Sequence, residues 1–344
     1  MALEWLIEAL PGERRAALVN GDTLVEIRLL RDETDPVQTG AIFAARLRRK
    51  TGPTRALVDL GGGQEAFLQP VPAGLSEGRL VVVEITRPLL PEPGKTKLPH
   101  CRPALPEQMA GQAAPTQPGL MTPAPLWTPA GAPARTVQRL PAELGVDEAL
   151  DAAVSGEVAF PGGMLTLERT RAGLVIDVDG TGSALDVNVA AARLTARLLR
   201  LYAIGGPVMI DFLTAGSKAD RLTVADAFDA AAKDDPTPFE RTAINGYGLM
   251  QVIRPRPGPS IIDLLCGTRR SQWSAESVAL RLLREVIHAR GAGVRRIVTQ
   301  PEVADVLGRW PDLLARAEAR AGAPIEVLAD PQVPDYGYVH VQPV

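Results

Sequence analysis

Two strand-type runs, LVIDVDG at 174–180 and VMIDFL at 208–213, carry acids inside otherwise apolar sequence. The stretch between them, 185–202, has the helical spacing of an amphipathic helix through Val189, Leu194, Leu198 and Leu201. Strand, helix, strand within one short segment predicts a βαβ unit whose strands are parallel neighbours or nearly so. Side chains alternate along a strand. Leu174, Ile176 and Val178 therefore share one face, and Asp177 and Asp179 the other. In the second run Val208, Ile210 and Phe212 lie opposite Met209 and Asp211. Three acids are thus expected near the carboxyl ends of adjacent strands, where open α/β sheets place their ligands. An acid there is costly to bury without a positive partner. A divalent ion is one solution, because Mg²⁺ is commonly held by one or two carboxylates plus waters and a substrate phosphate. Helix capping, or pairing with an arginine such as Arg193 or Arg254, is the other. The pattern alone leaves both open.

The rest of the 344-residue chain divides by texture. Residues 1–100 hold short apolar-rich runs broken by Gly and Pro, at about the spacing of a small barrel or sandwich. Gly61–Gly63 reads as a turn between two of them, and no Gly-Lys-Ser/Thr follows to make a phosphate loop. Residues 101–140 are Pro-punctuated (Pro103, Pro106, Pro115, Pro118, Pro123, Pro125, Pro129, Pro133) in an Ala/Gly/Gln/Thr background, and read as an extended linker. Residues 141–265 alternate strand and helix, predicting a mixed or mostly parallel sheet with helical cover. Residues 266–344 continue that alternation as a smaller unit, with helices over 274–290, near 301–307 and over 311–321. Ser274 is the expected cap of the first.

Charge narrows the function. The net charge of −3 excludes a uniformly basic nucleic-acid wrapper but not a local basic site. Arg46, Arg48, Arg49, Lys50 and Arg55 form a basic stripe at a β turn. Phe67 lies in a strand nearby, and Lys95 and Lys97, two of five lysines, sit in an exposed turn after the barrel strands. An exposed aromatic among cations would be a base-stacking platform; a core Phe and a solvated loop are the plainer alternatives. His100, His288 and His340 match no ligand spacing, no G-x-S-x-G is present, and 4% aromatics is poor material for a sugar-binding cleft. Cys101 and Cys266 give no disulfide framework. No run of 18 apolar residues and no signal-type N-terminus is present, so a cytoplasmic location without a membrane span is expected.

Taken in order, ERRAALVNGDTLVEIRL, GAIFAARLRR with TRALVDLGGGQEAFLQP, the run into LVIDVDG, IGGPVMIDFL, AINGYGLMQVIRPR and the tail EARAGAPIEVLADPQVPDYGYVHVQ resemble the bacterial ribonuclease E/G family. The resemblance implies an α+β and α/β multidomain fold. An N-terminal OB-like RNA-binding barrel would precede an RNase H-like or DNase I-like mixed catalytic sheet and a small C-terminal α/β domain. It places Asp177 and Asp211 as the metal-binding catalytic pair, and Asp179 at a third catalytic position where the family usually has Asn. Phe67 and Lys95 match RNA-contacting positions. Lys97, Arg46, Arg48, Arg49, Lys50 and Arg254 are the cations expected to join them, while Leu57 stands where a second aromatic is usual.

The implied activity is Mg²⁺-dependent cleavage of single-stranded RNA, with Mn²⁺ as substitute ion and 5′-phosphate products. Three departures qualify it. The Pro-rich stretch occupies the interval of the family's 5′-monophosphate sensor, so such gating is not expected. The zinc-link motif C-P-x-C reads Asp263-Leu264-Leu265-Cys266, so no shared zinc and no zinc-linked tetramer is expected, although a homodimer stays compatible. Gly246 stands where an Arg normally precedes the aromatic, here Tyr247. The alternative reading is a catalytically impaired RNA-binding protein or regulator of the same descent.

Overall fold

The computed structural model describes residues 2–343 except 32–34, 110–113 and 215–216. Strands β1 (Leu3–Leu10), β2 (Glu13–Asn20) and β3 (Thr23–Leu30) form an antiparallel meander. Its alternation buries Leu6, Ala17, Val19, Ile27 and Leu29 in the main core, and Trp5, Ala16 and Leu18 in a smaller cluster on the other side. Next come β4 (Ile42–Lys50), β5 (Ala56–Gly61), β6 (Gln64–Leu68) and β7 (Leu80–Arg87). A short hairpin of β8 (Leu90–Glu92) and β9 (Lys95–Lys97) follows, then β10 (His100–Pro103). The ladder runs β4-β5-β6-β10-β7, and β7 closes back on β4. This is a closed five-stranded barrel filled by Val58, Leu60, Ala66, Leu68, Val83, Ile85 and Cys101. Gly61, Gly62 and Gly63 all have positive φ, as the turn reading requires.

The Pro-rich stretch is extended, but it is also a strap. β11 (Gly119–Thr122) pairs with β4, and β12 (Ala134–Val137) runs parallel to β1. Trp127 meets Trp5 edge-on at 5.1 Å between ring centroids. The physical reason is edge satisfaction. β5 pairs with β4 only from Arg46 onward, which leaves Ile42–Ala44 a free side that β11 takes. Gly61 permits the approach: a Cβ there would come 3.0 Å from the carbonyl oxygen of Pro118.

The central unit contains α1 (Val146–Ser155), β13 (Glu157–Phe160), β14 (Gly163–Arg169), β15 (Leu174–Gly180), α2 (Ala184–Leu201), β16 (Gly206–Asp211), α3 (Lys218–Ala232), β17 (Glu240–Arg241), β18 (Leu249–Arg254) and α4 (Ile261–Cys266). Its sheet order is β13-β14-β15-β16-β18-β17. Only β15 and β16 are parallel, joined by α2. The sheet is therefore mixed and mainly antiparallel, because its outer strands return as hairpins. Ser183 caps α2, its hydroxyl accepting from the Asp186 N–H at 3.4 Å. The buried stripe of α2 (Val187, Ala191, Leu198) joins Val224 and Phe228 of α3 and Ile176, Val178 and Ile210 of the sheet in one core.

The last unit has α5 (Ala275–His288), β19 (Val294–Thr299), α6 (Pro301–Gly308), α7 (Pro311–Ala321), β20 (Ile325–Ala329) and β21 (Gly337–Gln342), with sheet order β20-β19-β21 and its own core. Ser274 caps α5, accepting from the Ser277 N–H at 3.2 Å. The unit docks through buried Glu13 on β2, which accepts from Arg284 of α5 at 2.6 Å. The whole is a mixed α+β chain with seven α-helices among the described residues. None of them is long and apolar enough to cross a membrane.

Candidate functional site

The parallel register of β15 and β16 sets Asp177 directly opposite Asp211. Asp179 follows on the same face of β15, and all three are exposed. The cause is the one-sided cover of the sheet. Ile176, Val178, Val208, Ile210, Met250 and Val252 turn into the core with α2 and α3. The opposite face, with Val175, Met209, Leu249, Gln251 and Ile253, stays partly open. Partial burial pushes the Asp177 carboxyl up from its ordinary value, and the negative charges of Asp179, Asp211 and Glu168 push it in the same direction. None of the three strand-end carboxylates forms an ion pair among the described residues. Nor does any group of three or more His, Cys, Asp or Glu there have the arrangement of a closed metal cage. The donor set is a cross-strand carboxylate pair with one close neighbour.

The arginines that could have neutralised these acids do not. Arg193 is exposed on α2, which covers the other face. Arg254, expected among the RNA-binding cations, has the same parity on β18 as Met250 and Val252 and so enters the covered face. It is 4% exposed, donates to the Ile204 carbonyl at 3.0 Å and pairs with Asp235 at 2.6 Å. Buried and spoken for, it does not join the RNA-facing cations.

Beside Asp211 the chain turns from β17 into β18. Phe212 N–H donates to the Gly248 carbonyl at 3.2 Å. Gly248 has φ +94°, and a Cβ on it would lie 2.3 Å from the Phe212 carbonyl oxygen, so only glycine allows this approach. A Cβ on Gly246 would meet nothing within 4 Å.

On the barrel, successive pairings align Arg49 with Leu57, Leu57 with Phe67, Phe67 with His100 and His100 with Arg87. These five form one row across the outer surface. Phe67 is half-buried, with the Arg55 guanidinium 4.1 Å from its ring centroid and His100 edge-on at 6.0 Å. Burial holds the Arg87 and His100 pKa values below their ordinary positions; Arg256 and Arg55 add to the first, Arg87 and Arg55 to the second. Buried Nε atoms of Arg55 and Arg87 lack hydrogen-bond partners among the described residues. Such a crowd of cations favours an anionic ligand.

The other expected cations are distributed around this row. Arg49 and Lys50 are exposed, and their side chains have no partner among the described residues. Arg46 donates to the Gly78 carbonyl at 2.9 Å, and Arg48 pairs with Asp59 at 2.6 Å. Lys95 and Lys97 have side chains 50% and 42% exposed, as the turn reading expects, and both also approach the buried Glu92, at 3.8 and 2.5 Å, as does Arg256 at 3.7 Å. Arg87 and His100 escape a sequence reading, because only the non-local pairings of β10 bring them into the row with Phe67, and Arg256 reaches Glu92 and the neighbourhood of Arg87 from the chain after β18. At the motif compared with a zinc link, Asp263 instead joins Arg169 at 3.0 Å and Arg256 at 2.9 Å. Cys266 is buried there, with its thiol pushed up by that burial.

Comparison with known proteins places this geometry. Residues 133–257 match the model of the ribonuclease E/G family. The chain is 28% identical over 193 residues to "Ribonuclease G" of Salmonella typhimurium, covering 49% of this chain and 39% of that protein. It is 28% identical over 213 residues to "Ribonuclease E" of Synechocystis, covering 56% and 31%. It is 30% identical over 132 residues to the chloroplastic "Ribonuclease E/G-like protein" of Arabidopsis thaliana, covering 35% and 13%. The matched stretches thus span well under half the length of these relatives. Asp177, Asp179, Asp211 and the turn at Gly246–Gly248 all fall inside residues 133–257, the part of the chain that is similar to the ribonuclease E/G family.

Proposed function

We propose that the protein is a divalent-metal-dependent endoribonuclease that cuts single-stranded RNA at the carboxylate pair Asp177 and Asp211. One observation carries this reading. The two acids are in cross-strand register on an open sheet face, with Asp179 beside them and mutual repulsion that no protein cation relieves among the described residues. Two adjacent carboxylates, completed by waters and a substrate phosphate, are a donor set that suits Mg²⁺, or Mn²⁺ in its place. Asp177 and Asp211 would hold the ion, and Asp179 would tune its surroundings. When bound there, a divalent ion supplies Lewis acidity toward the phosphate oxygens and a water of lowered pKa.

The chain's own residues hold and orient the RNA. Phe67, between Arg55 and His100, offers its ring to a base. Arg49 and Lys50 attract phosphates, and Lys95, Lys97, Arg87 and Arg256 extend that attraction along the row. In this reading residues 1–100, with their OB-like barrel, hold the substrate. Residues 141–265 form an RNase H-like or DNase I-like cutting sheet, with 101–140 as the strap and 266–344 as a supporting unit. The products carry 5′-phosphates, and cleavage does not require a 5′-monophosphate on the substrate. The ribonuclease names of the matched relatives support the substrate class.

The test is the double variant Asp177→Asn, Asp211→Asn on a single-stranded RNA with Mg²⁺. Cleavage should vanish while binding in EDTA persists; undiminished cleavage sinks the assignment. A second reading, an RNA-binding protein without cleavage, is favoured by the open space at Gly246, where no side chain reaches toward a phosphate. RNA binding by the wild type without any Mg²⁺- or Mn²⁺-dependent cleavage would select it.

A further inference from the structure

Tyr247 is 82% exposed, the most exposed large apolar side chain among the described residues, and its ring has no partner there. The turn beneath it is nonetheless firmly built. The Asn245 Oδ1 accepts from the N–H groups of Tyr247 at 2.9 Å and Leu249 at 3.1 Å. The Asn245 N–H donates to the Leu249 carbonyl at 3.0 Å, and the Gly248 N–H to the Asn245 carbonyl at 3.2 Å. The Phe212–Gly248 bond clamps this turn to the residue that follows Asp211.

Leu249 is the cross-strand partner of Asp211, and Tyr247 lies two residues before it. With about 4.8 Å between strands and about 3.3 Å per residue along them, the Tyr247 Cα lies within about 10 Å of the Asp211 Cα. A base adjoining a phosphate held at the carboxylates comes within reach of the ring. The space around Gly246 is open, so a flat group can approach from that side. A rigid turn presenting a bare aromatic next to a phosphate-handling centre is the construction of a stacking platform, sequence-tolerant because every base has a π-face.

We propose that Tyr247 stacks on an unpaired base flanking the scissile phosphate, and so imposes the requirement for unpaired RNA at the cut. This rests on the ribonuclease reading above. The test uses short single-stranded RNAs carrying one 2-aminopurine, moved one position at a time, with wild type, Tyr247→Phe, Tyr247→Leu and Tyr247→Ala. In EDTA, wild type and Tyr247→Phe should quench the probe at one or two positions, and Tyr247→Leu and Tyr247→Ala should not. With Mg²⁺, Tyr247→Ala should lose about 5- to 150-fold in kcat/KM, the equivalent of about 1–3 kcal/mol for one stacked base. Tyr247→Phe should retain wild-type values, and the RNA should be cut adjacent to the quenched position.

Quenching and cleavage by Tyr247→Ala equal to wild type would overturn the proposal. Equal performance by Tyr247→Leu would do the same, since simple apolar contact would then suffice. Tyr247-dependent quenching with no cleavage by any form would instead overturn the nuclease reading. Cleavage indifferent to residue 247 would leave that reading intact and remove the platform.

Discussion

Breaking the buried pair between Arg254 and Asp235 separates a structural cation from an RNA contact. Both side chains are almost fully enclosed, at 3% and 6% exposure, and meet at 2.6 Å. Arg254 also donates to the Ile204 carbonyl, while its Nε is buried without a hydrogen-bond partner among the described residues. Asp235→Asn would leave the guanidinium charge in the core without its contacting carboxylate, with only the more distant Glu26, itself shared with Arg28 and Arg200, acting on it, at a cost of about 3–5 kcal/mol. Against a total stability of about 5–15 kcal/mol, that is about a fifth at the least. The melting temperature should fall by roughly 6–20 °C. The exposed pair Arg296–Glu326, at 2.7 Å and 27%/50% exposure, is the control. Glu326→Gln should cost no more than about 1 kcal/mol. The double variant Arg254→Met, Asp235→Leu should recover most of the loss, since apolar replacement of a buried pair is often neutral. It should also bind single-stranded RNA within about twofold of wild type, because Arg254 faces away from the carboxylates. Thermal unfolding followed by circular dichroism, with fluorescence anisotropy for RNA, gives both numbers. A cost below about 1 kcal/mol for Asp235→Asn, or a large affinity loss in the double variant, would refute the reasoning.

Three further outcomes can be checked. Gly248→Ala puts a Cβ 2.3 Å from the Phe212 carbonyl oxygen at φ +94° and should cost at least about 1–3 kcal/mol; by displacing the chain next to Asp211 it should also reduce cleavage, whereas Gly246→Ala, with nothing within 4 Å, should be neutral on melting. On the barrel, Phe67→Ala should weaken RNA binding by about 5- to 150-fold, while Arg49→Ala should lower the slope of log affinity against log salt by about 1 without changing sequence preference. Burial raises the Cys266 thiol and pushes the Cys101 thiol up to about 12, so neither forms appreciable thiolate at pH 8; alkylation followed by mass spectrometry should label both only in denaturant, and rapid native labelling of Cys101 would contradict its burial.

The carboxylate pair was legible because its determinants are local. One helix joins the two strands, the connection is short, and alternation of period two assigns each acid to a face. The direction of Arg254 was legible by the same rule, since it shares parity with Met250 and Val252, although composition drew attention to its charge instead. The strap strands were not legible. β11 and β12 are four residues long, rich in neither β-branched nor alternating apolar residues, and exist because β4 and β1 present unpaired edges to them. The alternation of strand and helix over 141–265 suggested a more parallel sheet than the one formed, because it does not distinguish a crossover from a hairpin return.

By itself the sequence determined the strand–helix–strand unit of β15, α2 and β16, which residues of its strands face inward, and that Asp177, Asp179 and Asp211 share one face near the strand ends. Periodicity and capping are properties of neighbouring residues, and they are written along the chain. Tertiary structure alone decided which cations stand beside Phe67, that Lys95, Lys97 and Arg256 converge on one buried glutamate, and that Tyr247 is held bare beside Asp211. Those arrangements arise from barrel closure, cross-strand register and edge pairing between distant segments. Satisfying backbone hydrogen bonds there fixes side-chain neighbours that no local pattern encodes.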